Sequence, residues 1–194
     1  MATRSENTVT INQPVEKVHA ALTNPDYWAF IAENLSPEPG EVNEFQQTEG
    51  GAVATLFEVL PLDILPEAVR AMISQALKVK RVVTVGPLAD NASAVTYTAD
   101  VKGTPVDFSG DINVSGDDAT TTLAYNNEVS VNIPFMGPAI EPKVAEALGD
   151  LFNNEGELTN RWIGENASAV LVSHCSTHGR PFPQPPCGGG PWPA

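Results

Sequence analysis

Positive charge is scarce in this chain of 194 residues: Lys and Arg number 10 against 24 Asp and Glu, a formal net charge of -14. A surface of that sign repels polyanions, so nucleic acid and anionic membrane surfaces are poor partner classes. Solubility alone is sufficient to account for the acidity. Long hydrophobic runs are missing too. No apolar stretch approaches the roughly 18 residues needed to span a bilayer, and Met1 to Glu6 leads into strand-like sequence without an apolar signal core. The expectation is a soluble, cytoplasmic protein with no stable membrane insertion. Cysteine is confined to Cys175 and Cys187, so residues 1–166 hold neither a disulfide nor a thiol nucleophile. The chain also has no Gly-x-Ser-x-Gly elbow, no His-Glu-x-x-His, no phosphate loop and no dinucleotide fingerprint. No cofactor is expected, and enzyme chemistry has no motif to rest on.

What is present reads as one α+β domain. Thr8 to Asn12 alternates with Val9 and Ile11 on one face, as a strand does. Pro14 opens a helix over Val15 to Thr23, with Val15, Val18, Ala21 and Leu22 at helical spacing. Asn24-Pro25-Asp26 ends it and begins a second short helix carrying Tyr27, Trp28, Phe30 and Ile31. Further strands are predicted at Val42 to Thr48, at Val53 to Val59 with Val53, Thr55, Phe57 and Val59 facing inwards, and at Lys78 to Val85. Ala94 to Val101, Val106 to Val114 and Thr120 to Ile133 complete the set, joined by turns that include Gly50-Gly51, Asp90-Asn91 and Gly103-Thr104-Pro105. Leu60 to Leu77 is an insertion with helical character from Glu67.

A long amphipathic helix closes the domain, beginning near Pro138 or Ala139 and running to Glu165. Pro142 belongs to its first turn, where a missing N–H costs little. Its apolar stripe is Val144, Leu148, Leu151, Leu158 and Trp162. At 1.5 Å per residue it is about 40 Å long, enough to cross a curved sheet. Gly149 and Gly156 are expected to let it bend or let bulk beneath it approach closely. Residues 1–166 form the domain and 167–194 a Pro/Gly-rich tail, expected to be disordered because it cannot bury a core. The tail's His174, Cys175, His178 and Cys187 lack the spacing of a zinc site, and no metal is expected.

Two segments carry a family resemblance. The opening strand followed by Gln13-Pro14-Val15-Glu16-Lys17-Val18 and Leu22-Thr23-Asn24-Pro25-Asp26-Tyr27-Trp28 is similar to the start of many START-like proteins, the superfamily of the birch pollen allergen relatives and polyketide cyclases. Ile133-Pro134 through Leu158-Thr159-Asn160-Arg161-Trp162 resembles the closing helix of the bacterial domain-of-unknown-function family 2505. The resemblance covers residues 5 to 166. It implies a helix-grip fold: a curved antiparallel sheet of about seven strands wrapped on a long C-terminal helix, with two short helices after the first strand. It also implies an apolar cavity between sheet and helix, used within the superfamily to hold lipids, sterols or polyketides, to cyclise polyketides, or to contact proteins.

The residues weighed for that site follow from parity and spacing. Glu155 falls on the buried stripe of the closing helix, where an unpaired carboxylate is costly; it is either a polar anchor or turns to solvent, Arg161 or Lys78. Asn127 shares the inward parity of Leu123, Tyr125, Val129 and Val131, as a pocket residue or at a bulge. Tyr97 points its hydroxyl inwards or bonds backbone. Arg81 reads as a snorkelling strand-end arginine more readily than as a ligand clamp. The expected ligand is a hydrophobic small molecule contacted by Glu155, Asn127, Tyr97, Phe57, Phe108, Tyr125, Leu148, Leu151 and Phe152. That expectation requires Leu56, Phe57, Phe108, Leu148 and Phe152 to leave the space between them open. The alternatives are a cyclase or dehydratase with Glu155 as general acid or base, and a protein-interaction module.

Overall fold

The computed structural model describes residues 2–60, 67–70, 77–102, 106–131 and 137–173. Along the chain run β1 (Thr3–Ile11), α1 (Val15–Leu22), α2 (Pro25–Asn34), β2 (Glu41–Thr48), β3 (Gly51–Leu60), α3 (Glu67–Arg70), β4 (Leu77–Val85), β5 (Ala92–Val101), β6 (Val106–Gly116), β7 (Thr121–Val131) and α4 (Gly137–Ser173). The strands form one antiparallel sheet in the order β1-β7-β6-β5-β4-β3-β2. Consecutive strands are hairpin neighbours, and only β1 crosses over, to pair with β7.

Local chemistry accounts for the joints. The two-residue loop Asp90-Asn91 has φ of 50° and 58° and is closed by reciprocal bonds between Ala89 and Ala92, a hairpin turn that Asp and Asn tolerate through their short side chains. Asn24 accepts from the backbone N–H of Asp26 at 2.9 Å while Pro25 takes the first helical position, which fixes the start of α2. The turns expected at 103–105 and 134–138, the C-terminal part of the insertion and the cysteine-bearing tail lie largely or wholly outside the described residues.

The closing helix packs chiefly on β1 and β7. Its 37 residues make it about 55 Å long, and it runs beyond Glu165 to Ser173. Because it begins at Gly137, Pro142 falls inside the helix rather than in its first turn. Gly156 lies against Val9, whose Cγ1 occupies the place of any added Cβ, and a Cβ on Gly149 would meet Asn7 Nδ2 at 2.6 Å. Both glycines therefore permit close approach of helix and strand, one of the two roles expected for them.

The register of β3 corrects the sequence reading. Ala52, Ala54, Leu56 and Glu58 face inwards, and Phe57 with Val53 and Val59 is only half-buried on the outer face. Both parities of this strand carry apolar residues, so alternation gives no unique answer. On the inner face α2 packs on β3, and the bulkier Val and Phe satisfy strand propensity outside. Phe57 consequently lines an open outer groove with Lys78, Lys80 and Lys102, not the interior.

Candidate functional site

Besides Glu141, which accepts from Thr3 Oγ1 and the Val131 N–H, three buried charged groups meet in one cluster inside the core. Arg81 projects inwards from β4 between Val79 and Val83, and only 4% of it is exposed. Its Nη2 donates to Glu58 Oε1 on β3 at 2.7 Å, and its Nη1 donates to Glu155 Oε2 on α4 at 2.7 Å. The guanidinium thus ties the sheet to the closing helix, with its Cζ 5.9 Å from the centre of the Trp28 ring. Its Nε is left without a partner among the described residues.

Two carboxylates share this single cation. Burial raises Glu58 above the ordinary carboxylate range; Arg81 only partly offsets this, and Glu155 adds to it. Burial also works against the charge of Arg81, but Glu155 and Glu58 together outweigh it and hold the guanidinium above its usual value. Whether Glu58 is ionised or protonated, the cluster carries no surplus positive charge.

A second polar chain crosses to the other side of the grip. Tyr97 donates to Asn127 Oδ1 at 2.6 Å, and Asn127 Nδ2 donates to Asn7 Oδ1 at 2.9 Å. Asn127 is buried with continuous pairing to β6 and β1, so its inward position needs no bulge. Near α2, Thr159 Oγ1 donates to the Glu155 carbonyl at 2.7 Å, which makes Tyr27 the donor in its 2.8 Å bond to Thr159. Trp28 Nε1 donates to the Leu22 carbonyl at 2.9 Å. Burial raises the phenols of Tyr27, Tyr97 and Tyr125 above their ordinary value, so all three remain neutral donors and acceptors.

Aromatic packing closes the rest. Phe152 stacks on Tyr125 at 4.3 Å and meets Tyr97 edge-on at 5.6 Å, while Phe108 tilts against Tyr97 at 6.4 Å. Between these groups lies a void of about 20 Å³, lined by Arg81, Glu155, Tyr27, Trp28, Tyr97, Tyr125 and Phe152 with aliphatic neighbours. That is room for about one water molecule. At this place the open cavity expected from the resemblance is filled, because Leu56, Phe108, Leu148 and Phe152 are all buried in the core.

The structure brings Glu155, Tyr97, Tyr125 and Phe152 to the void itself and places Asn127, Phe108 and Leu148 in the buried surroundings. Leu151 is partly buried, and Phe57 is outside. Glu155 reaches neither solvent, Arg161 nor Lys78. Its partner is Arg81, which sequence reasoning assigned to the strand end, and Glu58 was missed altogether. The available signal was two inward-facing charges of opposite sign on β3 and β4, legible only once the β3 register is known. Among the described residues, no group of three or more His, Cys, Asp or Glu is placed to hold a metal, and no helix is long and apolar enough to cross a membrane.

A seven-stranded antiparallel sheet gripping one long helix, with two short helices after β1, defines the helix-grip fold. The fold is similar to that of the crystal structure of Ara h 8.0201 (TM-score 0.55, 11% identity, 85% of this chain and 99% of that one). It is likewise similar to a START superfamily protein from Mycobacterium smegmatis (TM-score 0.51, 11% identity, 84% and 97%). The di-domain ARO/CYC StfQ from the steffimycin biosynthetic pathway matches over 87% of this chain and 53% of its own length (TM-score 0.55, 12% identity). At such identities the likeness is one of fold. The chain belongs to the family described as "Protein of unknown function (DUF2505)", whose profile matches residues 6–163. An uncharacterized protein of Mycobacterium tuberculosis is 25% identical over 162 residues, 78% of this chain and 91% of that protein.

Proposed function

We propose that this protein binds a small, largely apolar molecule between its sheet and α4, without transforming it. The observation that carries the reading is the void itself: an apolar and aromatic wall converging on an Arg81–Glu155 pair, buried where a purely structural core would be better served by hydrocarbon. The apolar wall supplies affinity in proportion to the area buried, about 25 cal/mol per Å² before ordering costs. Arg81 fixes orientation, and Asn127 holds the Tyr97 ring in place through its hydroxyl. Because the void holds little more than a water, binding requires the aromatic side chains around Phe152 to move aside, a minor conformation made dominant by the ligand.

The fold likeness to allergen and START superfamily proteins is compatible with this reading, and the likeness to an ARO/CYC protein keeps a cyclase in view as the rival. Glu155 does not favour the rival, since its carboxylate is engaged by Arg81 at 2.7 Å. The test is native mass spectrometry of the full chain, with organic extraction of whatever co-purifies. A stoichiometric apolar adduct that survives gentle desorption and is lost on extraction is the expected result. A clean apo mass, together with no shift on titration with apolar probes, would sink the reading.

A further inference from the structure

We infer that the interior site selects an uncharged ligand bearing an oxygen acceptor, a ketone, ester or similar carbonyl, and rejects carboxylates of the same shape. The inference rests on the reading that the site is a small-molecule container and names the chemistry of its occupant.

The donors of the residues that line the void differ in how they are used. Those of Tyr27, Trp28, Tyr97 and Thr159 are spent on protein acceptors, while Tyr125, which also lines the void, adds a neutral hydroxyl to the same wall. Arg81 Nε is not spent: it is buried, it belongs to a residue lining the void, and it has no partner among the described residues. A buried N–H left unmade costs the desolvation of that group, so an acceptor oxygen supplied from the void is favoured over an apolar atom in the same place. The selectivity for an acceptor is therefore built into the wall.

Charge then decides which acceptor fits. A lone buried arginine would attract a carboxylate. Here the guanidinium is already claimed from two sides, by Glu58 and by Glu155, each at 2.7 Å. With both acids ionised the cluster is net negative, and with Glu58 protonated it is neutral. A ligand carboxylate would bring one more anion into a low-dielectric interior with no cation left to meet it, and Asn127 and the neutral tyrosines supply no charge to compensate. A carbonyl oxygen meets the same N–H without that penalty. The site is thus an arginine-containing pocket that disfavours fatty-acid-like anions.

Three probes of similar shape test this on the full chain: acetophenone, ethylbenzene and benzoate, titrated at neutral pH and followed by NMR shifts, including that of the Trp28 indole N–H. Acetophenone is expected to bind at least tenfold more tightly than benzoate and measurably more tightly than ethylbenzene. In Glu155→Gln, which leaves one carboxylate for the guanidinium, the gap between benzoate and acetophenone is expected to narrow at least tenfold. Should Glu155→Gln fail to fold, the order of benzoate and acetophenone on the parent chain decides by itself. Equal or tighter benzoate binding overturns the charge argument, and equal binding of acetophenone and ethylbenzene overturns the role of Arg81 Nε. An unchanged gap in a folded variant also overturns it. If none of the probes binds, the container reading falls, and the selectivity with it.

Discussion

Two halves of the interior differ in what they do for the fold. On one side Phe152, Tyr125, Tyr97 and Phe108 pack ring against ring, a region that returns burial and dispersion for every atom it removes from water. On the other side Glu58, Arg81 and Glu155 take three charged groups out of water, and their mutual attraction does little more than offset the desolvation. The aromatic half explains why the domain is stable. The charged half does not, and an arrangement retained without a stability gain is where function is sought first.

Removing one member of the charged half tests that contrast most severely. Arg81→Met leaves two carboxylates buried without a cation and is expected to cost about 3–5 kcal/mol in chemical denaturation. Replacing Glu58, Arg81 and Glu155 together by Met is expected to restore stability to the starting value or above it, because no charge of the cluster then remains buried. A triple variant as unstable as the single one would show that the cluster is structural after all.

Phe152→Ala attacks the other half. It is expected to cost about 3–5 kcal/mol, comparable with Arg81→Met, but with a distinguishing consequence. The enlarged void should bind small aromatic hydrocarbons, and their addition should raise the melting temperature of this variant more than that of the parent. No such rescue is expected for Arg81→Met.

Gly156→Ala separates both halves from the helix that covers them. The added methyl has to displace Val9, an overpacking cost of about 1–3 kcal/mol. At the exposed Gly164, where an added Cβ would meet nothing within 4 Å, the same substitution is expected to be neutral or slightly stabilising through helix propensity.

The smallest expected effect is one of pH. Glu58 keeps its proton to higher pH when folded than when unfolded. The folded state therefore binds more protons in that window, and stability falls as pH rises from the ordinary carboxylate range through the folded value of Glu58. Glu58→Gln removes this component, so the stability of the parent relative to the variant should decline as pH rises above about 4, where an unfolded glutamate ionises. A relative stability that rises over the same range would mean that the pull of Arg81 outweighs burial.

Much of this was legible along the chain. Proline and asparagine around residues 14 and 24 marked both short helices, Asp90-Asn91 marked a hairpin, and the spacing of Val144, Leu148 and Leu158 marked the helix face that is buried. Those signals are local: each depends on backbone geometry or on a period within one element. The same periodicity placed Glu155, Asn127 and Tyr97 inside, where the structure has them.

What the sequence could not decide was pairing across elements. Phe57 was put inside because a strand apolar on both faces offers two registers, and only the packing of α2 and the demand of Arg81 for Glu58 choose between them. Arg81 itself looks solvated in one dimension, since no local feature reveals two carboxylates waiting on β3 and α4. How much space is left beside Arg81 and Phe152 is a further sum over side chains from different elements, and among the described residues it is about 20 Å³. Composition and period thus determined the elements and their faces by themselves. Which strand register holds, which charges meet and whether the interior is open were decided only by the tertiary structure, because each depends on the distance between groups that the chain keeps far apart.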